Sequence, residues 1–94
     1  MKVVFKDTFV VRLEKQIEYI SLDSPERARK FKNELIKKIK EIPKRPMSFR
    51  KSIYFDDEMI RDLIFKGYTI VFRVSDSRIE VFGFVKYQQS VNDR

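Results

Sequence analysis

The sequence of 94 residues contains no cysteine, no histidine and no tryptophan. Without cysteine the chain can form no disulfide, no thiolate zinc site and no cysteine nucleophile. Without histidine it lacks the side chain that most often transfers protons near neutral pH. Any acid–base chemistry would therefore depend on tyrosine, lysine or carboxylates, and we expect a protein of the reducing cytoplasm.

Short motifs that bind cofactors are absent too. The chain has two glycines and no Gly-rich phosphate loop, no GxSxG and no HExxH. Asp56, Asp57 and Glu58 are consecutive carboxylates, but neighbours in a turn do not converge on one cation. We therefore predict a solvated turn at these residues, no metal site and no cofactor.

Long apolar runs are also missing. Charged residues at Lys2, Lys6 and Asp7 interrupt the N-terminal stretch, which leaves no segment long enough for a signal peptide or a membrane span. A chain of this length buries roughly two-thirds of its unfolded surface. We therefore predict one domain over residues 1–94, with no membrane partner.

Positive charge is concentrated in one segment. Residues 27–51 hold eleven lysines and arginines against two acids, a local charge of +9, whereas the whole chain has a charge of +7. Such a segment predicts a basic surface that attracts nucleic acid or an acidic protein. An amphipathic helix also needs polar residues on its outer face, and lysine is a common choice. Both explanations stay open at this point.

The clearest structural pattern is a β-hairpin. Two runs rich in β-branched and aromatic residues, 59–65 and 68–74, flank Lys66-Gly67, which predicts a two-residue turn. Pairing across that turn gives a core face of Leu63, Phe65, Tyr68, Ile70, Phe72 and Val74. The other face carries Asp62, Ile64, Thr69, Val71 and Arg73.

Two amphipathic helices precede the hairpin. Apolar residues recur at helical spacing, as Phe9, Leu13, Ile17 and Ile20 in the first helix and Ala28, Phe31, Leu35, Ile39 and Ile42 in the second. Asp7 or Thr8 is expected to cap the first helix. Ser24–Glu26 predicts the start of the second, with serine as N-cap and proline at N1. Pro43 and Pro46 are expected to end it.

The remaining strands complete the predicted fold. Lys2–Phe5 is expected to join the sheet, Ile53–Phe55 to be a short extended piece, and Arg78–Val85 to follow the turn at Ser75–Ser77. The order predicts an α+β fold, a two-helix hairpin on one face of a small antiparallel sheet (β-α-α-β-β-β). The predicted core is Phe9, Leu13, Ile17, Phe31, Leu35, Ile39, Leu63, Ile70 and Phe72. We expect the other face to be uncovered and functional.

Candidate functional residues follow from this uncovered face. Thr69 and Arg73 are predicted to point into it, and Lys86 and Tyr87 to follow the last strand beside it. Arg61 is predicted to lie at the outer edge of the core-facing set. A surface ion pair explains Arg73 equally well. A tyrosine transfers protons near neutral pH only if its pKa falls well below about 10, and an amphipathic strand end also accounts for Lys86 and Tyr87.

Apolar side chains are expected on or near the same face. Val71, Ile64, Phe82 and Phe84 are predicted to leave exposed apolar area there, which is typical of a partner site. The candidate residues for binding a target or partner are Arg61, Thr69, Val71, Arg73, Phe82, Phe84, Lys86 and Tyr87.

These features together resemble the RelE/ParE superfamily of type II toxin-antitoxin toxins. The residues that carry the resemblance are Ser24–Ala28, Phe31, Leu35, Ile42-Pro43, Arg61–Leu63 and Gly67–Phe72. The resemblance covers nearly the whole chain. It implies a small toxin whose open sheet face and C-terminal end are masked by a cognate antitoxin.

The ParE branch is the more similar, because Arg61-x-Leu63 followed by Tyr68-x-Ile70 resembles its middle strands. This similarity implies a toxin that poisons DNA gyrase by binding and has no catalytic centre of its own. RelE-like enzymes carry a catalytic arginine just after the Gly-Tyr pair, where this chain has Thr69.

Two alternatives remain. A RelE-like ribosome-dependent endoribonuclease would cleave mRNA by 2′-OH attack on the ribosome, with Arg73, Lys86 and Tyr87 stabilising charge and moving protons. A non-toxic RNA- or DNA-binding domain would use the basic segment, residues 27–51.

Overall fold

Five strands form one sheet in the order β1-β5-β4-β3-β2 in the computed structural model of the protein, which describes residues 1–86. The strands are β1 (Lys2–Phe5), β2 (Arg50–Lys51), β3 (Ile60–Phe65), β4 (Tyr68–Val74) and β5 (Arg78–Lys86), and the helices are α1 (Asp7–Asp23) and α2 (Pro25–Lys40). The predicted α+β order is confirmed, with the two-residue β2 as an addition. Most pairs are antiparallel, and β1 lies parallel to β5 at the sheet edge.

The β3–β4 hairpin has the predicted register. Phe65 pairs with Tyr68 and Leu63 with Ile70. Lys66 and Gly67 both have positive φ angles, 48° and 83°, as a type I′ hairpin turn requires. The core face of this hairpin, called the helix face below, therefore packs against α1 and α2.

The two helices begin by different means. The Ser24 side chain accepts a hydrogen bond from the Arg27 backbone N–H at 3.1 Å, so the predicted cap of α2 is confirmed. For α1 the predicted caps are wrong, because its N-cap is Lys6, which makes no side-chain capping bond. Thr8 instead donates its hydroxyl to the Phe82 carbonyl at 2.8 Å, which ties α1 to β5.

Eight of the nine predicted core residues are buried, and Ile17 is partly buried at the edge of the core. Aromatic rings form a continuous chain of contacts between the helices and the sheet. Its ring-centroid distances are 5.8 Å for Phe5–Phe9, 6.0 Å for Phe9–Phe84, 5.0 Å for Phe84–Tyr68, 5.3 Å for Tyr68–Phe31 and 5.5 Å for Phe31–Phe65.

The opposite face of the sheet is not bare as expected, because residues 52–59, here called the covering loop, lie on part of it. The Ile53 backbone N–H donates to Asp62 Oδ2 at 3.2 Å, and the Phe55 ring meets the Phe82 ring at 5.6 Å. We call this side the loop face. The prediction of an extended piece at Ile53–Phe55 is wrong, since the short strand precedes it at Arg50–Lys51.

A β-bulge in β5 changes which side chains face the helices. Val71 pairs with Gly83, but its neighbour Phe72 pairs with Val81, so Phe82 is an extra residue. An extra residue reverses the alternation of side chains beyond it. Phe84 therefore enters the core, with 6% of its surface exposed, and its predicted place on the open face is wrong.

Candidate binding surfaces

A cleft opens between the α1–α2 connection and the β3–β4 turn. This cleft has a volume of about 770 Å³ and is lined by Tyr19, Ile20, Leu22, Asp23, Arg27, Lys30, Phe31, Lys66 and Tyr68. Tyr19 and Leu22 are 66% and 81% exposed and give the cleft an accessible apolar surface. Apolar walls and a rim with three basic residues suit an amphipathic, acidic segment.

Charges at the cleft mouth connect the helices to the hairpin. Lys66 Nζ lies 2.7 Å from Glu34 Oε1 and 5.4 Å from the centre of the Phe65 ring. The hydrogen bond from Lys66 lowers the pKa of Glu34. Burial, with a smaller contribution from Tyr19, raises the pKa of Tyr68. Tyr68 is therefore a neutral wall of the cleft and not a base at neutral pH.

Two predicted binding residues of the loop face lack the expected exposure. Thr69 and Val71 are 3% and 2% exposed. Val71 lies between Asp62 on β3 and Gly83 on β5, and the covering loop bonds to the Asp62 side chain through Ile53. The apolar area expected at Val71 is therefore not available, whereas Ile64 on the same face is 52% exposed.

The two arginines of the predicted site have different environments. Arg61 donates from Nε to the Glu58 carbonyl at 2.8 Å and from a terminal nitrogen to the Phe49 carbonyl at 3.0 Å. Its side chain is only 13% exposed, so it fastens the chain around β2. Arg73 is exposed, and its partner is Asp57 of the covering loop at 3.3 Å.

Arg73 and Lys86 do not converge on one site. In the register of β4 and β5, Arg73 lies opposite Glu80, and Lys86 lies opposite Tyr68 at the other end of β4. Arg73 is five residue steps along β4 from Tyr68, about 16 Å, and the two basic residues belong to opposite faces of the sheet. Lys86 therefore lies on the helix face and not beside the open face as predicted. Tyr87, the third candidate for catalysis, lies outside the described residues.

Asp62 is a buried residue whose structural role the sequence did not reveal. Its side chain has no exposed surface, and its Oδ2 accepts from Arg50 Nε at 3.2 Å as well as from Ile53. The other carboxylate oxygen, Oδ1, is buried with no partner among the described residues. Alternation along β3 placed Asp62 on the outer face, and nothing in the sequence indicated that a loop would cover it.

The positively charged side chains of the basic segment lie at the surface. All eleven lysines and arginines of residues 27–51 are exposed. Some are paired, as Arg27 with Asp23 at 3.0 Å and Lys51 with Asp56 at 3.2 Å. Within residues 1–86 no cluster of three or more acidic side chains could hold a metal ion. No helix in that part of the chain is long and apolar enough to cross a membrane.

The fold is that of a small α+β protein with a cleft beside its two helices, and sequence comparison gives its family. The family model of the ParE toxin of the type II toxin-antitoxin system, parDE, matches residues 3–90. The chain therefore belongs to the ParE toxin family.

A solved structure of a chromosomal ParDE toxin-antitoxin system from P. aeruginosa has a similar fold. It is 16% identical in sequence, with a TM-score of 0.76 over 94% of this chain and 97% of the other. No match was found among the curated proteins.

Proposed function

We propose that this ParE-family toxin inhibits DNA gyrase by binding to it and that a cognate antitoxin neutralises the toxin. The observation that carries the proposal is the family match over residues 3–90. The geometry supports a binding mode of action, because the candidate catalytic residues Arg73 and Lys86 lie at opposite ends and on opposite faces of the sheet. A single phosphodiester cannot contact both.

We place the antitoxin in the cleft. Phe31 and Tyr68 form its apolar walls, and Arg27, Lys30 and Lys66 stand at its rim. An amphipathic helix with acidic residues would bury apolar area on the walls and pair its charges with the rim. Charge complementarity of this kind speeds association more than it deepens affinity.

The predicted contact residues that remain accessible are proposed for the target or for the rest of the antitoxin. Arg73 and Phe82 lie on the loop face, and Phe82 is partly buried under Phe55. Lys86 is exposed and pairs with Tyr68, a cleft residue. Tyr87 follows Lys86 in the chain, and we propose it as a contact residue only because of this position in the sequence.

The gyrase proposal is tested by induction in bacteria and with purified components. We expect loss of plasmid negative supercoiling after induction, with mRNA intact, and inhibition of purified gyrase by the purified protein. Primer extension on translated mRNA is the parallel measurement. Codon-specific cuts that disappear in Arg73→Ala or Tyr87→Phe, with supercoiling unchanged, would instead establish the endoribonuclease.

The antitoxin proposal is tested by co-expression with the reading frame next to the gene. Pull-down in ~0.15 M and then ~0.5 M salt separates screened ion pairs from apolar burial. We expect a complex that survives high salt and rescues growth. Leu22→Asp in the cleft should weaken it, whereas Val11→Asp, at a half-exposed residue of the same helix outside the cleft, should not. Equal effects of both variants would place the antitoxin elsewhere.

A further inference from the structure

The outer face of α2 carries a row of cations that the proposed function does not use as a whole. Lys30, Lys37 and Lys40 are exposed and recur, with Asn33, at spacings of three and four residues. Such residues lie in one line along a helix. Arg29 lies about three turns before Lys40, on the same side of α2 but at its other end. We call Arg29, Lys30, Lys37 and Lys40 the basic row. From Lys30 to Lys40 it extends for about 15 Å.

The basic row is only weakly balanced by the protein's own carboxylates: after Lys66, Lys30 also contributes to lowering the pKa of Glu34. None of its four residues forms an ion pair with a described residue, whereas Arg27 and Lys66 do. Lys37 and Lys40 stabilise α2 because cations near a helix C-terminus complement its dipole. Arg29 and Lys30 lie in the N-terminal half and gain nothing from that effect. Helix stability therefore explains only half of the row.

The chemistry of the row favours a polyanion over a protein. No large apolar residue of α2 is exposed, so this face lacks the aromatic or aliphatic anchors on which protein interfaces depend. It also lacks aromatic rings on which unpaired bases could stack. What it offers is a straight line of charge. Duplex DNA carries one negative charge per ~1.7 Å of helix axis with both strands counted, so phosphates are dense enough for each cation of the row to reach one.

We propose that α2 binds the phosphate backbone of duplex DNA through Arg29, Lys30, Lys37 and Lys40, without reading the base sequence. This contact is independent of gyrase inhibition. It lies on the outer face of a helix whose inner face holds the core, so DNA can approach without any change in the fold.

The test is fluorescence anisotropy of a labelled 20-bp duplex with the purified protein between ~0.05 and ~0.2 M NaCl. Each neutralised phosphate contributes about −0.9 to the slope of log affinity against log salt. Four contacts predict a slope near −3.6 and a loss of affinity of about 100-fold over that range. A single strand of the same sequence is measured in parallel and should bind more weakly.

Two triple variants with the same net charge distinguish binding by the basic row from binding by the overall positive charge of the protein. Lys30→Gln/Lys37→Gln/Lys40→Gln removes three charges from the row, and Lys2→Gln/Arg12→Gln/Lys15→Gln removes three exposed charges elsewhere. Circular dichroism verifies that both are folded. We expect the first variant to reduce the slope by about 1 per residue and the second to keep most of the wild-type slope.

Three results would overturn the proposal: no binding at ~0.05 M NaCl, equal weakening by both variants, or tighter binding of the single strand. The supercoiling assay with purified gyrase measures the proposed function separately from DNA binding. Gyrase inhibition by a wild-type protein that does not bind the duplex would remove this proposal alone.

Discussion

Phe72 on β4 and Leu35 on α2 have no exposed surface, and each faces the contact between helices and sheet. Replacing either by alanine should lower the free energy of unfolding by about 2–5 kcal/mol, because a cavity remains where the side chain was. Urea denaturation measures the loss. Ile64→Ala, at a half-exposed site on β3, is the control and should change stability by less than about 0.5 kcal/mol. Losses under about 1 kcal/mol at both buried sites would contradict this packing.

Gly83 is the residue that the bulge brings against Val71. A Cβ atom at Gly83 would lie 2.8 Å from Val71 Cβ and 3.0 Å from its Cγ2, which is closer than packed carbon atoms approach. Gly83→Ala should therefore cost about 1–3 kcal/mol through overpacking.

A double-mutant cycle identifies the cause of that cost. In the Val71→Gly background the contacting Cβ is gone, so Gly83→Ala should cost much less there than in the wild type. Equal costs in both backgrounds would show that the strain lies elsewhere, for example in the backbone of the bulge.

Among the elements, the covering loop depends on one buried carboxylate. Arg50 is half-exposed, and its Nη2 lies 3.1 Å from Asp62 Oδ2, whose side chain is fully buried. Arg50→Ala leaves that charge without its cationic partner and should cost about 1–3 kcal/mol. Amide hydrogen exchange at Ile53, which donates to the same carboxylate, should become faster.

Lys51 is the matched control on the same short strand. Its partners Asp56 and Glu58 are exposed, and exposed ion pairs contribute less than about 1 kcal/mol. Lys51→Ala should leave exchange at Ile53 unchanged. If both variants loosened Ile53 equally, the loop would be held by β2 pairing and not by Asp62.

The elements also show where sequence patterns succeed. Helical spacing located α1 and α2, and Ser24 with Pro25 fixed the start of the second helix, because capping is a local interaction. The β3–β4 register followed from turn length alone. In β5 the same alternation failed beyond Phe82, because one extra residue, accommodated through contacts with Val71 and Thr8, reverses the faces.

For the molecule as a whole, the Glu34–Lys66 ion pair joins α2 to the β3–β4 turn across a large separation in sequence. Lys66 lowers the pKa of Glu34 from its usual 4.5. A lowered folded-state pKa stabilises the protein above the unfolded-state pKa, and this contribution disappears as pH falls through the folded-state value.

We therefore expect stability to decline below about pH 4.5, the usual pKa of Glu34, and Lys66→Ala to make that decline shallower. Both carboxylate and ammonium are solvated, so the difference should shrink in ~0.5 M salt. Urea unfolding at several pH values measures it, with Lys15→Ala as the control lysine. An identical pH profile in wild type and Lys66→Ala would exclude this linkage.

The sequence by itself determined the helices, the central hairpin, most of the core and the concentration of positive charge, because these depend on periodicity, capping and turn length among near neighbours. Its resemblance to the RelE/ParE superfamily rested on the same local residues, and the family match confirmed it.

Only the tertiary structure decided which surfaces are accessible. Thr69 and Val71 are buried on the central strand β4, and the covering loop bonds to Asp62, the strand partner of Val71. Phe84 is in the core because Phe82 is bulged. The cleft joins Leu22 to Tyr68, residues that no local pattern connects. Accessibility depends on contacts between segments far apart in the chain, and side-chain alternation within one strand carries no information about what covers that strand.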